Sequence, residues 1–259
     1  MQNISVSIRP ADLSDDETAL RRAPYKPAAR GDTETGDSGM DEAALRRDIV
    51  EQARRMNALG INQGTSGNIS VRCGAQMLIT PSATPYETMQ PEDIAAMPLK
   101  GRRGTWRGPL KPSTEWRFHL DILRGRPEAG AVVHTHAMYC TTLAILRREI
   151  PAVHYMIAAF GGATVRCAPY ALYGTAELAA HALRALEDRN ACLLANHGMI
   201  VVGPTLAKAM WLAVELETLA KQYYLALQAG EPVVLSDAEI EATLGSFATY
   251  GLQPRPGDD

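Results

Sequence analysis

Ala131-Val132-Val133-His134-Thr135-His136-Ala137 lies near the middle of the 259-residue chain, and the rest of the sequence is read outward from it. Its opening residues are small or β-branched and apolar, which predicts a buried strand over residues 131–136. Alternate residues of a strand point to one side of the sheet, so the spacing aims His134 and His136 at a common point. A single histidine in such a segment is ordinarily a satisfied interior polar group. Two at the strand period point to one shared metal ion.

Helices and strands alternate on both sides of this segment. Upstream, Pro112 precedes a predicted helix over 113–123, with Trp116, Leu120 and Leu123 as its apolar line and Ser113 or Thr114 as its cap. Before it come short strands over 68–72 and 76–80 around a turn at Gly74, then a loop over 81–85. A further helix opens at Asp41 and closes at Gly60, with Leu45, Ile49, Met56 and Leu59 on one face. Downstream, the pattern predicts a helix over 138–146, a loop at Gly161 and Gly162, a helix over 175–188 and an interior strand over 192–196. A long helix then runs from Pro204 or Thr205 to about Gln228, stopped by Gly230, with Leu206, Met210, Leu216, Leu219 and Tyr223 facing the core.

This alternation predicts a single α/β layered domain over 40–259, a central β-sheet flanked by helices. Residues 1–39 hold few large apolar side chains, and 21–39 show neither period, so they are expected to form a mobile extension. With 26 Lys and Arg against 29 Asp and Glu, the net charge of −3 gives no field for coating nucleic acid or an anionic membrane. No apolar run reaches the roughly 18 residues that a spanning helix requires. Cys73, Cys140, Cys167 and Cys192 are scattered without a paired spacing and read as reduced thiols. With no leader-like start, the expected location is the cytoplasm.

A third histidine, His197, follows the strand over 192–196 inside Asn196-His197-Gly198, where it could complete a three-imidazole shell. Three imidazoles with an open fourth position describe a catalytic zinc centre, because structural sites use four protein ligands. Glu115, at the head of its helix, has an ordinary electrostatic reason to be there. Ser113-Thr114-Glu115 also offers hydroxyls and N–H groups to a phosphate with a base beside them, while His119 reads as structural. The loops Gly64-Thr65-Ser66-Gly67-Asn68 and Pro81-Ser82-Ala83-Thr84-Pro85 could each serve as an anion cradle or simply as a turn. Neither is a nucleotide-binding fingerprint.

Taken in order, these motifs, together with His154-Tyr155-Met156-Ile157-Ala158-Ala159, resemble the class II aldolase/adducin family, in its L-fuculose-1-phosphate aldolase branch, from about Asp41 to Leu252. The resemblance implies that His134, His136 and His197 bind Zn²⁺, with Co²⁺ or Mn²⁺ as alternatives. It makes Glu115 both the fourth metal ligand and the acid/base once substrate displaces it, with Tyr155 as the opposing proton donor. Gly67, Asn68, Ser82, Ala83, Ser113 and Thr114 match phosphate-holding positions. The chain departs from the family pattern at Ser82-Ala83, where Thr-Gly is expected, and at Thr114, where a second Ser is expected. Tyr173 and Tyr250 are candidates for the aldehyde pocket, and a homotetramer with sites between subunits is implied.

The implied reaction is reversible cleavage of a ketose 1-phosphate, such as L-fuculose 1-phosphate, to dihydroxyacetone phosphate and a short aldehyde such as L-lactaldehyde. Close variants would cleave 5-deoxyribulose or 5-methylthioribulose 1-phosphate. A sugar-phosphate 4-epimerase would carry Asp at the position of Glu115. An adducin-like interaction module would lack the three histidines.

Overall fold

The computed structural model describes residues 21–22 and 41–247. Its strands are β1 (Arg21–Arg22), β2 (Asn68–Cys73), β3 (Gln76–Ile79), β4 (Ala95–Pro98), β5 (Thr105–Trp106), β6 (Ala131–Thr135), β7 (Arg166–Ala168), β8 (Ala191–Leu194) and β9 (Gly198–Gly203). The α-helices are α1 (Glu42–Ala58), α2 (Trp116–Gly125), α3 (Met138–Ile145), α4 (Ala176–Ala185), α5 (Leu206–Ala229) and α6 (Asp237–Phe247), and Pro91–Asp93 and Tyr155–Phe160 form 3₁₀ turns. Seven strands make one sheet in the order β4-β3-β2-β6-β9-β8-β7, antiparallel except for the β7–β8 pair. β1 pairs in parallel with β5 in a separate two-stranded ribbon.

β6 occupies the centre of this sheet, and its side chains alternate between two cores. Ala131 and Val133 join Met199, Val201, Ala191 and Leu193 in a core that includes buried residues of α1, α3 and α5. Val132 joins Ile200, Val202, Cys192 and Leu194 in another with residues of α2 and α4. Because both faces are covered, the strand reads as a continuous apolar run rather than an alternation of polar and apolar residues.

Most expected helices stand close to their anticipated limits. Asp41 caps α1 by accepting from the Ala43 N–H, and Gly60 follows with φ +71°. Thr175 and Thr205 accept N–H bonds at the starts of α4 and α5. Leu59 departs from the expected apolar face: it lies past the last helical residue and is exposed. α2 begins at Trp116, so neither Ser113 nor Thr114 caps it; the Ser113 hydroxyl accepts from the Glu115 N–H, ahead of the helix.

The expected strand over 192–196 ends at Leu194, because Asn196 adopts φ +55° in a hairpin turn. The chain then returns as β9, whose run Met199-Ile200-Val201-Val202 is fully buried. β4, β7, α6 and the Tyr155–Phe160 turn were not anticipated either. Of the predicted N-terminal extension only Arg21–Arg22 falls within the described residues, and its backbone pairs with β5 although no strand period marks it.

Candidate active site

The centre forms where β6, the β8–β9 turn and the start of α2 meet. His134 is wholly buried near the end of β6, paired in register with Asn68 on β2 and Ile200 on β9. Its Nδ1 lies 2.8 Å from the Met199 carbonyl, which can only accept, so Nδ1 carries a proton and Nε2 faces the cluster. His136 leaves the strand just beyond Thr135, and its Nε2 comes to 3.2 Å from that of His134. His197, in the β8–β9 turn, and Glu115, immediately ahead of α2, close the group.

One oxygen of Glu115, Oε2, is 3.2 Å from His134 Nε2, and the other, Oε1, is 3.2 Å from His197 Nε2. One ligand atom from each of the four residues lies within 4.8 Å of all the others. The donor set suits a divalent transition metal: three imidazole nitrogens and one carboxylate oxygen. Glu115 Oε1 supports that fit, since it is buried yet receives no well-aligned hydrogen bond.

Electrostatics favour the ligating forms. Burial alone would raise the Glu115 carboxyl, but the adjoining His134 and His197 imidazoles hold it well below the usual carboxylate range. Burial, followed by repulsion from the other two imidazoles, lowers His136 to about 4, so its ring is neutral at pH 7.

Glycines and a distant carboxylate set these positions. A Cβ on Gly198 would sit 2.5 Å from the Thr135 carbonyl and 2.9 Å from the His136 ring, and one on Gly67 would sit 2.7 Å from the His134 carbonyl. Ala137 cannot cap α3 with its side chain. Glu217 on α5 does so instead, accepting the Tyr139 and Cys140 N–H groups at 2.8 and 2.9 Å. Its carboxylate thus fixes the chain direction immediately after His136.

A cavity of about 400 Å³ opens over the cluster, and Glu115, His136 and His197 form part of its lining. Thr65, Ser66, Ser82, Ala83 and Thr114 give it hydroxyl and backbone donors, and Tyr170 and Tyr173 form an aromatic rim. Among the described residues no Lys or Arg lines it. Ala83 has φ +52°, a conformation that costs a residue with a Cβ roughly 1–2 kcal/mol. The glycine expected at this position would carry no such penalty.

Residues 47–224 match the family described as Class II Aldolase and Adducin N-terminal domain. The chain belongs to that family. Among class II aldolase relatives, the 5-methylthioribulose-1-phosphate/5-deoxyribulose-1-phosphate aldolase of Rhodospirillum rubrum is 54% identical over 208 residues, covering 80% of this chain and 93% of the relative. The L-fuculose phosphate aldolase of Escherichia coli is 49% identical over 215 residues, covering 83% and 99%. A solved L-fuculose 1-phosphate aldolase superposes with a TM-score of 0.77 at 39% identity, covering 82% of this chain and all of that one.

In this class II aldolase fold the four expected metal ligands converge. Of the six expected phosphate-holding residues, Ser82, Ala83 and Thr114 line the cavity, while Gly67, Asn68 and Ser113 are buried and do not. Asn68 donates to Glu115 Oε2 at 2.9 Å, and Tyr86 holds the Gly67 carbonyl through its buried hydroxyl. Tyr173 lines the cavity; Tyr155, half exposed, does not. Tyr250 lies outside the described residues. The sequence reading missed Glu217, which no local pattern marks, and took His119 as structural only. The pair spacings Asn68 to Ser70 and Glu115 to His119 were the available signal, because each puts both residues on one face of its element.

Among the described residues no helix is long and apolar enough to cross a membrane. The four cysteines are free thiols.

Proposed function

We propose that this protein is a metal-dependent aldolase that reversibly cleaves a ketose 1-phosphate to dihydroxyacetone phosphate and a short aldehyde. The observation carrying this reading is the convergence of Glu115, His134, His136 and His197 beside a cavity rich in hydroxyl donors. L-Fuculose 1-phosphate is our leading substrate. The 5-deoxyribulose and 5-methylthioribulose 1-phosphates are retained beside it because relatives named for both activities are similar to this chain.

In this reading His134, His136 and His197 would hold the ion, Zn²⁺ first, with Co²⁺ or Mn²⁺ able to substitute, and Glu115 would serve both as a further ligand and as the acid/base. When bound, the ion supplies Lewis acidity that draws electrons from the ketone oxygen and lets the adjacent carbon carry negative charge. Ser82, Ala83 and Thr114, backed by Gly67, Asn68 and Ser113, grip the phosphate with N–H and hydroxyl donors. A base takes the proton of the hydroxyl that becomes the aldehyde. The C–C bond breaks, and its electron pair stays on the carbon next to the ketone. Glu115 delivers a proton to that carbon, and in the reverse direction removes it.

Tyr155 handles the hydroxyl proton. Half exposed and outside this cavity's lining, the side chain would serve the site of a neighbouring copy in a homotetramer. Tyr173, and Tyr250 from the C-terminal segment, would enclose the aldehyde end. The enzyme would work in the cytoplasm.

The test combines metal analysis of the purified protein with an assay of dihydroxyacetone phosphate release from the three sugar phosphates side by side. The expected result is release from at least one sugar, loss on chelation and recovery with Zn²⁺. No release from any of them in the metal-loaded protein would overturn the proposal, and recovery of a single rearranged sugar phosphate would point to an epimerase.

A further inference from the structure

Glu115 belongs to a chain of buried polar groups that runs away from the cavity. Asn68 Nδ2 donates to Glu115 Oε2 at 2.9 Å, His119 Nε2 meets Asn68 Oδ1 at 2.5 Å, and His119 Nδ1 meets the Ser70 hydroxyl at 2.7 Å. Glu115 and Asn68 are each 4% exposed, and His119 and Ser70 are completely covered. The arrangement follows from two periods. Asn68 and Ser70 share one face of β2, and Glu115 and His119, four residues apart, share one face at the start of α2.

The direction of every bond is determined. An ionised carboxylate only accepts, so Asn68 must turn its NH₂ group toward Glu115 and its carbonyl toward His119. The carbonyl also only accepts, so the His119 proton must lie on Nε2. That leaves a lone pair on Nδ1, to which the Ser70 O–H donates. With the proton on Nδ1 instead, Nε2 would call for the Asn68 NH₂ group, and the flipped amide would set a carbonyl oxygen against the Glu115 carboxylate.

We propose that His119 is a positioning residue for Glu115: by keeping its proton on Nε2 it locks the Asn68 amide, and the amide anchors Oε2 of the carboxylate. The inference rests on the functional reading above, in which Glu115 carries the proton of the reaction. The anchoring is one-sided. Oε2 is fixed by an N–H donor, while Oε1, which has no well-aligned donor, remains for the ion or for the transferred proton. A carboxylate held by one oxygen can exchange ligands at the other without losing its place. Burial, the main cause, lowers the His119 ring to about 3, so it stays neutral throughout the physiological range, as this arrangement requires.

His119→Phe keeps a ring stacked on Phe118, whose centroid is 4.6 Å away, but removes the donor to Asn68. The expected result is a kcat lower by about 10- to 100-fold with KM changed less than about twofold and metal content unchanged, as for loss of a residue that orients a ligand. His119→Gln, whose side-chain N–H can take the place of Nε2–H, should recover most of the loss. Ser70→Ala, which leaves His119 in place, should lower kcat in the same direction. In ¹⁵N-labelled wild-type protein, with and without metal, NMR should find His119 with its proton on Nε2.

Wild-type kcat in His119→Phe, equal losses in the Phe and Gln variants, or a proton on Nδ1 would each overturn the proposal. If His119→Phe does not fold, an unchanged kcat in Ser70→Ala overturns it. Failure of the functional reading looks different: the wild type itself would cleave none of the three sugars while the His119 proton still sat on Nε2.

Discussion

At and just beneath the floor of the cavity, Glu115 and His134 are almost wholly buried, and hydrogen bonds or steric stops specify most of their surroundings; at the rim, Tyr170 and Tyr173 stand 54% and 60% exposed on a loop before α4. A misplaced atom at the floor meets a backbone carbonyl or an imidazole. At the rim it meets solvent. Under the proposed function the contrast would separate two tasks: the floor would serve one kind of bond chemistry, and the rim would choose which aldehyde that chemistry releases. Substitutions should therefore lose effect from the floor outward.

The largest loss is expected for His134→Ala, which removes a proposed metal ligand at the centre of the sheet. Metal content and dihydroxyacetone phosphate release should fall together, the latter to the rate without enzyme. Glu115→Gln should keep the fold and much of the metal yet lower kcat by about 10²- to 10⁴-fold, the range typical of a lost general acid/base, as read by steady-state kinetics beside metal analysis. Full activity in that variant would remove Glu115 from proton transfer.

Gly198→Ala comes next. Its methyl group would have to displace the Thr135 carbonyl or the His136 ring, at about 1–3 kcal/mol of stability, with weaker metal binding in a titration.

Acid unfolding tests the polar chain beneath Glu115. His119 is held neutral at a value of about 3 in the folded protein, while the unfolded ring takes up a proton below its ordinary 6.5. The stability contribution is therefore complete above 6.5 and falls as pH drops toward 3, by about 1.4 kcal/mol per pH unit for this one group. Denaturant melts of the metal-free protein between pH 6 and 4 should approach that slope, and His119→Gln should be shallower by about one proton.

The smallest effect belongs to the loop over 81–85. Ala83→Gly relieves the left-handed strain but gives freedom to the unfolded chain, so stability should change by less than about 1 kcal/mol, and KM should respond more than kcat.

The same contrast explains what the sequence revealed. The apolar run of β6 and the two-residue spacing of its histidines reported directly on burial and on a shared side of the sheet, and the caps at Asp41, Thr175 and Thr205 marked true helix starts. His197 was legible as a member of the cluster, but the strand after it was not. Met199-Ile200-Val201-Val202 lacks an alternating pattern because both faces of β9 are covered, and the turn at Asn196 relies on a left-handed residue other than glycine. Glu217 was invisible for a different reason. It caps a helix nearly 80 residues before it, a relation that only the folded chain creates. The role of Asn68 was half legible, since its place beside the centre could be read but its bond to Glu115 depends on how β2 meets α2.

That remote carboxylate has a mechanical consequence. α5 is 24 residues long, a rod of about 36 Å, and Glu217 sits near its middle, clamped to the amides that follow His136. Sliding or tilting the rod would pull on the histidine through two short bonds, so a load applied at either tip of α5 would be felt at His136 itself.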